Sequence, residues 1–181
     1  NPGSGSLFWF SLELPEIYGV EERAQGTLQQ SIIGYHGPPQ TMLVVDDKPE
    51  NRLLLRDILV PLGFEYLEAG NGREGLDKAI EHRPSLILMD LVMPVMDGLE
   101  ATTRIRQIPE LQDTVVIAVS ASAFEETKKQ SFTAGCDDFF TKPLQIDELL
   151  VKMQRYLPIT WTYATDVLVG RPRYDIITPH G

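Results

Sequence analysis

The chain has 181 residues, 43% of them hydrophobic and 23% charged, which suits one ordinary domain with a buried core and flanking segments. Its formal net charge of -10 and pI near 4.7 exclude long-range attraction to nucleic acid or to an anionic membrane surface, and favour binding of cations. The single cysteine, Cys136, excludes an intrachain disulfide, so we expect a reducing, cytoplasmic environment. No apolar run approaches the ~20 residues that cross a bilayer, so we expect no membrane contact by this segment.

The first predicted element is an isolated strand over residues 7–14. Phe8, Phe10 and Leu12 alternate with other side chains at the period of a strand that buries one face. Residues 16–40 offer no comparable partner strand and contain the run GYHGPP, so they are predicted to be a linker. Because a single strand is not a sheet, we expect residues 7–14 to be poorly ordered or to pair opportunistically.

Residues 41–156 alternate short apolar runs with segments whose apolar residues recur every three or four positions. The runs cover residues 42–46, 64–69, 85–90, 114–120 and 137–142. Five strands that alternate with five helices predict an α/β domain, in which helices cover both faces of a parallel sheet. The runs VVIAV and LILM are continuously apolar, as is typical of strands buried on both faces. Residues 157–181 are predicted to be a tail or a linker.

Polar residues mark the carboxyl ends of these predicted strands, where open parallel sheets bind their ligands. Asp46 and Asp47 follow the first strand, Asp90 ends the third, and Ser120 and Lys142 end the fourth and fifth. Three carboxylates at one edge need a cation, and their oxygens suit Mg²⁺. With a lysine and a hydroxyl beside them, the sequence predicts a pocket for a metal-bound phosphoryl group, in which a carboxylate can act as the nucleophile.

The motifs LVVDD, DLVMPVMDG, AVSAS and TKPL, in this order, resemble the receiver domain family of response regulators. The intervals are 43 residues from Asp47 to Asp90, 30 from Asp90 to Ser120 and 22 from Ser120 to Lys142. The resemblance covers residues 41–156 and implies a doubly wound (βα)5 flavodoxin-like fold, with strand order 2-1-3-4-5. The activity that it implies is the acceptance of a phosphoryl group from a phosphohistidine, with Mg²⁺ as cofactor.

The resemblance also implies a role for each acidic residue. Asp90 matches the phosphoacceptor, and Asp46 and Asp47 match the acidic pair that binds Mg²⁺ together with Asp90. The backbone carbonyl of Val92 would complete the metal ligands. Since Val92 has an apolar side chain, we expect it to disfavour an attacking water and to lengthen the lifetime of the phosphorylated state.

The remaining matches concern the response to phosphorylation. Lys142 matches the lysine that pairs with the phosphoryl group, and its bond to Pro143 matches a cis peptide of the family. Ser120 matches the hydroxyl switch, where the commonest residue is Thr. Phe139 matches the aromatic switch, where the commonest residue is Tyr, so this chain lacks the hydroxyl that would report the position of the ring.

Three simpler interpretations compete with these assignments. Asp47 can serve only as a cap for the helix that follows, and Phe139 can be an ordinary core residue. Residues 70–75 form a literal G-x-G-x-x-G, the pattern of a dinucleotide-binding turn. Its preceding run FEYLEA contains two glutamates and predicts a half-exposed strand, which disfavours a nicotinamide or flavin site.

The sequence favours a receiver inside a hybrid sensor kinase, because residues 3–15 resemble the end of a histidine-kinase ATP-binding domain. The expected partners are a kinase transmitter domain in cis and a histidine phosphotransfer domain, with a homodimer forming on phosphorylation. One alternative is a stand-alone response regulator that acts by protein contact. A metal-dependent aspartyl-phosphate phosphatase is disfavoured, because Val92 occupies the position two residues after Asp90 where a second acid would be needed.

Overall fold

The computed structural model describes residues 31–164, which contain seven strands, five α-helices and one short 3-10 helix. The strands are β1 (Ile32–His36), β2 (Thr41–Val45), β3 (Glu65–Ala69), β4 (Leu86–Asp90), β5 (Val115–Ser120), β6 (Asp138–Thr141) and β7 (Thr160–Tyr163). The helices are α1 (Pro49–Leu59), α2 (Gly72–His82), α3 (Gly98–Arg106), α4 (Glu125–Ala134) and α5 (Ile146–Tyr156), with the 3-10 helix at Pro109–Leu111.

Five of the strands form one parallel sheet in the order β3-β2-β4-β5-β6. Counted from the first strand of the sheet, this is the order 2-1-3-4-5, so the predicted flavodoxin-like fold is confirmed. The strand order reverses at β2, whose neighbours on either side are β3 and β4. The switch point therefore lies at the carboxyl ends of β2 and β4, where ligands of such sheets bind.

Helices cover both faces of the sheet because successive residues of a strand point in opposite directions. Leu43 and Val45 of β2 pack in the core beneath α2 and α3, whereas Met42 and Val44 pack in the core beneath α1 and α5. All five residues of β4 are buried. This double coverage explains why the central strands are continuously apolar in sequence.

A second, two-stranded sheet lies outside the predicted limits of the domain. β1 pairs with β7 in antiparallel fashion, and we call this pair the terminal ribbon. Sequence reasoning assigned these residues to a linker and a tail, and the structure differs because their aromatic side chains pack on the domain. Tyr35 stacks on Phe64 at a centroid distance of 4.5 Å, and Trp161 meets the same ring edge-on at 6.1 Å.

Two of the predictions concern residues near the start of the chain. The predicted strand 7–14, and the kinase-like segment 3–15 that contains it, lie outside the described residues.

Within residues 31–164, no helix combines the length and the apolar character that a membrane span requires.

Candidate functional site

Four of the predicted site residues meet in a pocket at the carboxyl edge of the sheet. Asp46 follows β2, Asp90 ends the neighbouring β4, and Lys142 follows β6. Carboxylate oxygens of Asp46, Asp47 and Asp90 all lie within 4.8 Å of one another. Asp46 and Asp90 are buried, while Asp47 is exposed at the mouth of the pocket.

Lys142 joins the two buried carboxylates. Its Nζ donates to Asp90 Oδ2 at 2.6 Å and to Asp46 Oδ2 at 2.9 Å. Burial lowers the pKa of Lys142, but the hydrogen bonds and charges of the two aspartates raise it by more, so the pKa lies above the ordinary value for lysine. The amine therefore remains cationic and offsets part of the acidic charge of the pocket.

The beginning of α1 fixes the orientation of Asp46. The backbone N–H of Lys48 donates to Asp46 Oδ1 at 2.9 Å, and the side-chain amide of Asn51 donates to Oδ2 at 2.9 Å. Arg52 Nη1 donates to the Asp46 carbonyl oxygen at 2.7 Å. Sequence reasoning missed Asn51 and Arg52. The sequence feature that could have pointed to them is their position at the beginning of a helix that starts directly after the acidic pair.

The loop after β4 contributes backbone groups to the same pocket. The N–H of Val92 donates to Asp90 Oδ1 at 3.1 Å, while the Val92 side chain is 76% exposed. Lys142 and Pro143 also line this pocket, and the peptide bond between them is cis, as the resemblance implies. Val92 thus borders the pocket through its backbone without any packing role for its side chain.

Ser120 and Phe139 lie next to this pocket, and their side chains do not join its hydrogen bonds. The buried hydroxyl of Ser120 accepts the N–H of Ser122 at 3.1 Å. Within residues 31–164 it makes no hydrogen bond to Asp90 or Lys142. The ring of Phe139 is buried in the core beneath α2 and α3. The structure therefore places both predicted switch residues beside the site, with the hydroxyl directed into its own loop.

The glycine pattern of residues 70–75 serves helix capping and close packing. Asn71 caps α2 by accepting the N–H of Glu74 at 3.0 Å, and the Glu74 carboxylate accepts the N–H of Gly70 at 2.8 Å. A Cβ at Gly75 would lie 2.9 Å from the Val45 side chain. The preceding strand, β3, is at the edge of the sheet, whereas a dinucleotide turn follows the first, central strand.

The fold and the pocket together define a doubly wound, flavodoxin-like α/β protein with an acidic site at its switch point. The family model described as the response regulator receiver domain matches residues 42–154, which is more than half of the chain. The chain belongs to the response regulator receiver domain family.

Relatives and solved structures agree with this membership. The polar-differentiation response regulator DivK of Brucella anthropi is 36% identical over 119 residues, which cover 66% of this chain and 97% of DivK. The chemotaxis protein CheY4 of Vibrio cholerae matches with 30% identity and a TM-score of 0.63, over 66% of this chain and all of CheY4. The receiver domain of sensor histidine kinase PA1611 from Pseudomonas aeruginosa, described with a magnesium ion in its active site cleft, is 31% identical with a TM-score of 0.61, over 66% of this chain and 98% of that domain.

Proposed function

We propose that this receiver domain accepts a phosphoryl group on Asp90 from a phosphohistidine, in a reaction that requires Mg²⁺. The observation that carries the proposal is the geometry around the Asp90 carboxylate. Lys142 Nζ lies 2.6 Å from one oxygen of Asp90, and the Asp46 and Asp47 carboxylates lie within 4.8 Å. This arrangement leaves a carboxylate nucleophile beside one fixed positive charge and a set of hard oxygen donors.

The transfer exchanges one bond for another at phosphorus. A carboxylate oxygen of Asp90 attacks the phosphorus, so a P–O bond forms and the N–P bond of the phosphohistidine breaks. The electron pair of that bond returns to the imidazole nitrogen, and the ring leaves as neutral imidazole when its other nitrogen carries the proton. Lys142 then pairs with the phosphoryl oxygens in place of the free Asp90 carboxylate.

The residues of the pocket fit Mg²⁺ by their chemistry. Asp46, Asp47 and Asp90 carry three negative charges against the single positive charge of Lys142, which leaves a formal charge of -2 for a divalent ion to offset. These carboxylates and the backbone carbonyl of Val92 would hold the ion. When bound, Mg²⁺ supplies charge stabilisation to the oxygens of the transferring group.

The response to phosphorylation involves the two switch residues. The Ser120 hydroxyl turns towards the phosphoryl group, and Phe139 fills the space next to it. The surface formed by α4, β6 and α5 changes as a result and binds the next partner, or a second copy of this chain. Both residues lie near Lys142, which supports these roles: the Lys142 N–H donates to the Ser120 carbonyl at 2.7 Å, and Phe139 lines a cleft together with Lys142.

The parent protein is a hybrid sensor kinase, and the partners are its transmitter domain in cis and a histidine phosphotransfer domain in the cytoplasm. Support comes from the kinase-like residues 3–15 and from the likeness to the receiver domain of a sensor histidine kinase. A stand-alone regulator is the second candidate, because the match to the response regulator DivK extends over 97% of that protein.

The test compares the wild type with Asp90→Asn, using a small phosphodonor and beryllofluoride, each with Mg²⁺. We expect the wild type to gain the mass of one phosphoryl group and to bind beryllofluoride, and Asp90→Asn to do neither. Asp97→Asn is the matched control, since Asp97 caps α3 outside the pocket and asparagine caps equally well. The proposal would be refuted if the wild type neither gained the mass nor bound beryllofluoride, or if Asp90→Asn responded in the same way as the wild type.

A further inference from the structure

A chain of hydrogen bonds links the Ser120 hydroxyl to the first turn of α4. The N–H of Ser122 donates to Ser120 Oγ at 3.1 Å, and the Ser122 hydroxyl lies 3.0 Å from Thr127 Oγ1 in hydrogen-bond contact. The Ser122 hydroxyl also accepts the N–H of Phe124 at 3.4 Å. One residue in the loop between β5 and α4 therefore contacts the predicted switch on one side and the helix on the other.

The first turn of α4 has few other side-chain attachments to the domain. The helix begins after Phe124 without a side-chain cap, and the Phe124 ring is 77% exposed. Ser131 is the buried residue that the helix contributes. In the first turn, Glu125, Glu126 and Lys128 are exposed, and only Thr127 is partly buried. The contact between Ser122 and Thr127 is therefore the main polar attachment of this turn.

We propose that Ser122 is a positioning residue that couples the Ser120 hydroxyl to the attachment of α4. The proposal rests on the phosphorylation of Asp90 proposed above. In the arrangement described here, the N–H of Ser122 holds the Ser120 hydroxyl in its own loop, and the Ser122 side chain holds Thr127. When Ser120 rotates towards a phosphoryl oxygen on Asp90, its oxygen leaves the N–H of Ser122. The loop is then released, and Ser122 no longer aligns with Thr127.

The size of the effect follows from two-state arithmetic. A neutral hydrogen bond that is present in only one of two states shifts their equilibrium by about 2- to 10-fold. Loss of the Ser122 hydroxyl removes such a bond from the resting state alone. The apparent affinity for beryllofluoride, which stands in for the phosphoryl group on Asp90, should rise by the same factor.

The experiment measures beryllofluoride binding by fluorine NMR at saturating Mg²⁺, and hydrogen exchange of the amides of residues 124–130. Ser122→Ala and Thr127→Val each remove one partner of the contact, and Ser122→Thr restores a hydroxyl. Thr133→Val is the matched control in the same helix, because the Thr133 hydroxyl donates only to the Lys129 carbonyl within that helix, at 2.9 Å.

We expect Ser122→Ala and Thr127→Val to bind beryllofluoride about 2- to 10-fold more tightly, with faster exchange in the first turn of α4 before the ligand is added. Ser122→Thr and Thr133→Val should resemble the wild type in both measurements. If the wild type binds beryllofluoride but Ser122→Ala and Thr127→Val match Thr133→Val, the coupling is refuted while the proposed function stands. If the wild type does not bind beryllofluoride, the proposed function fails, and the coupling fails with it.

Discussion

Val95 has a backbone conformation that is unfavourable for its side chain. Its φ of 71° lies in the left-handed region, which β-branched residues rarely adopt, and its side chain is 83% exposed. The strain is therefore not offset by burial. Asparagine tolerates this region much better than valine, because its short side chain can hydrogen-bond to the local backbone.

We expect Val95→Asn to increase the free energy of unfolding by about 0.5–1 kcal/mol, measured by urea denaturation. Val151→Asn is the control. Val151 is an exposed valine in helix α5, and valine and asparagine have similar helix propensities. Equal stabilities for the two variants would show that the backbone of Val95 stores no strain.

Substitutions of Val92, at the rim of the pocket, test how this position affects the lifetime of phosphorylated Asp90. Its side chain projects into solvent beside the carboxylate, so a substitution there alters access to the site with little effect on packing. An apolar group disfavours water near the phosphoryl group, whereas an amide can orient one. Val92→Asn should shorten the half-life of phospho-Asp90 severalfold after the phosphodonor is removed, and Val92→Ile should not. A half-life that stays the same in Val92→Asn would contradict this role.

Helix α5 is attached to β6 by a partly buried charged contact. Lys152 Nζ donates to Asp138 Oδ1 at 3.0 Å and to the Phe139 carbonyl at 2.9 Å. The Tyr156 hydroxyl reaches Asp138 Oδ2 at 3.1 Å, and Lys152 Nζ lies 4.1 Å from the centre of the Phe140 ring. These contacts hold the part of β6 around Phe139, the proposed aromatic switch, against α5.

This contact predicts a dependence of stability on pH. Burial raises the pKa of Asp138, but hydrogen bonds from Lys152 and from the N–H of Phe139 lower it by more, so the net pKa lies below the ordinary 3.8. A lowered carboxyl pKa stabilises the fold fully above the unfolded-state value, and the contribution is lost as the pH falls through the folded-state value.

Asp138→Asn should therefore lower the free energy of unfolding by about 1 kcal/mol at pH 7, since solvent partly screens this contact, and by progressively less below about pH 4. Urea unfolding at a series of pH values measures this difference. Asp113→Asn, at an exposed position in the turn before β5, is the control and should differ little from the wild type throughout. A deficit for Asp138→Asn that does not change with pH would exclude the ionised contact as its source.

The elements of the domain were predictable from sequence because their signals are local. Strands such as β4 and β5 are continuously apolar, and polar residues end them at the edge where a parallel sheet binds ligands. The same reasoning placed Asp46, Asp90 and Lys142 in one pocket. It could not place Asn51 or Ser122, since an amide or a hydroxyl near a helix start has an ordinary capping role and only the folded geometry shows its partner.

The terminal ribbon, which joins the two ends of the described chain, could not be predicted from sequence patterns. Gly34 interrupts the short β1, and the pairing shifts register between Ile32 and Gly34. β7 has only four residues. The partners of this pair lie at opposite ends of the described chain, so no turn signal joins them. Its consequence is geometric: Ala164 N–H donates to the Ser31 carbonyl at 2.9 Å, so the chain enters and leaves the domain side by side.

Trp161 anchors the terminal ribbon to the domain, so its substitution tests whether the ribbon stabilises the fold. The side chain is 4% exposed, packs with Phe64, and donates its indole N–H to the Leu150 carbonyl of α5 at 3.3 Å. Trp161→Phe should cost about 1 kcal/mol for the lost hydrogen bond, and Trp161→Ala about 3–5 kcal/mol because it also leaves a cavity. Ile33→Ala, at an exposed position of β1, should stay within about 0.5 kcal/mol of the wild type. If Trp161→Ala unfolds at the same urea concentration as Ile33→Ala, the ribbon is an appendage; a graded loss would make it a structural part of this receiver domain.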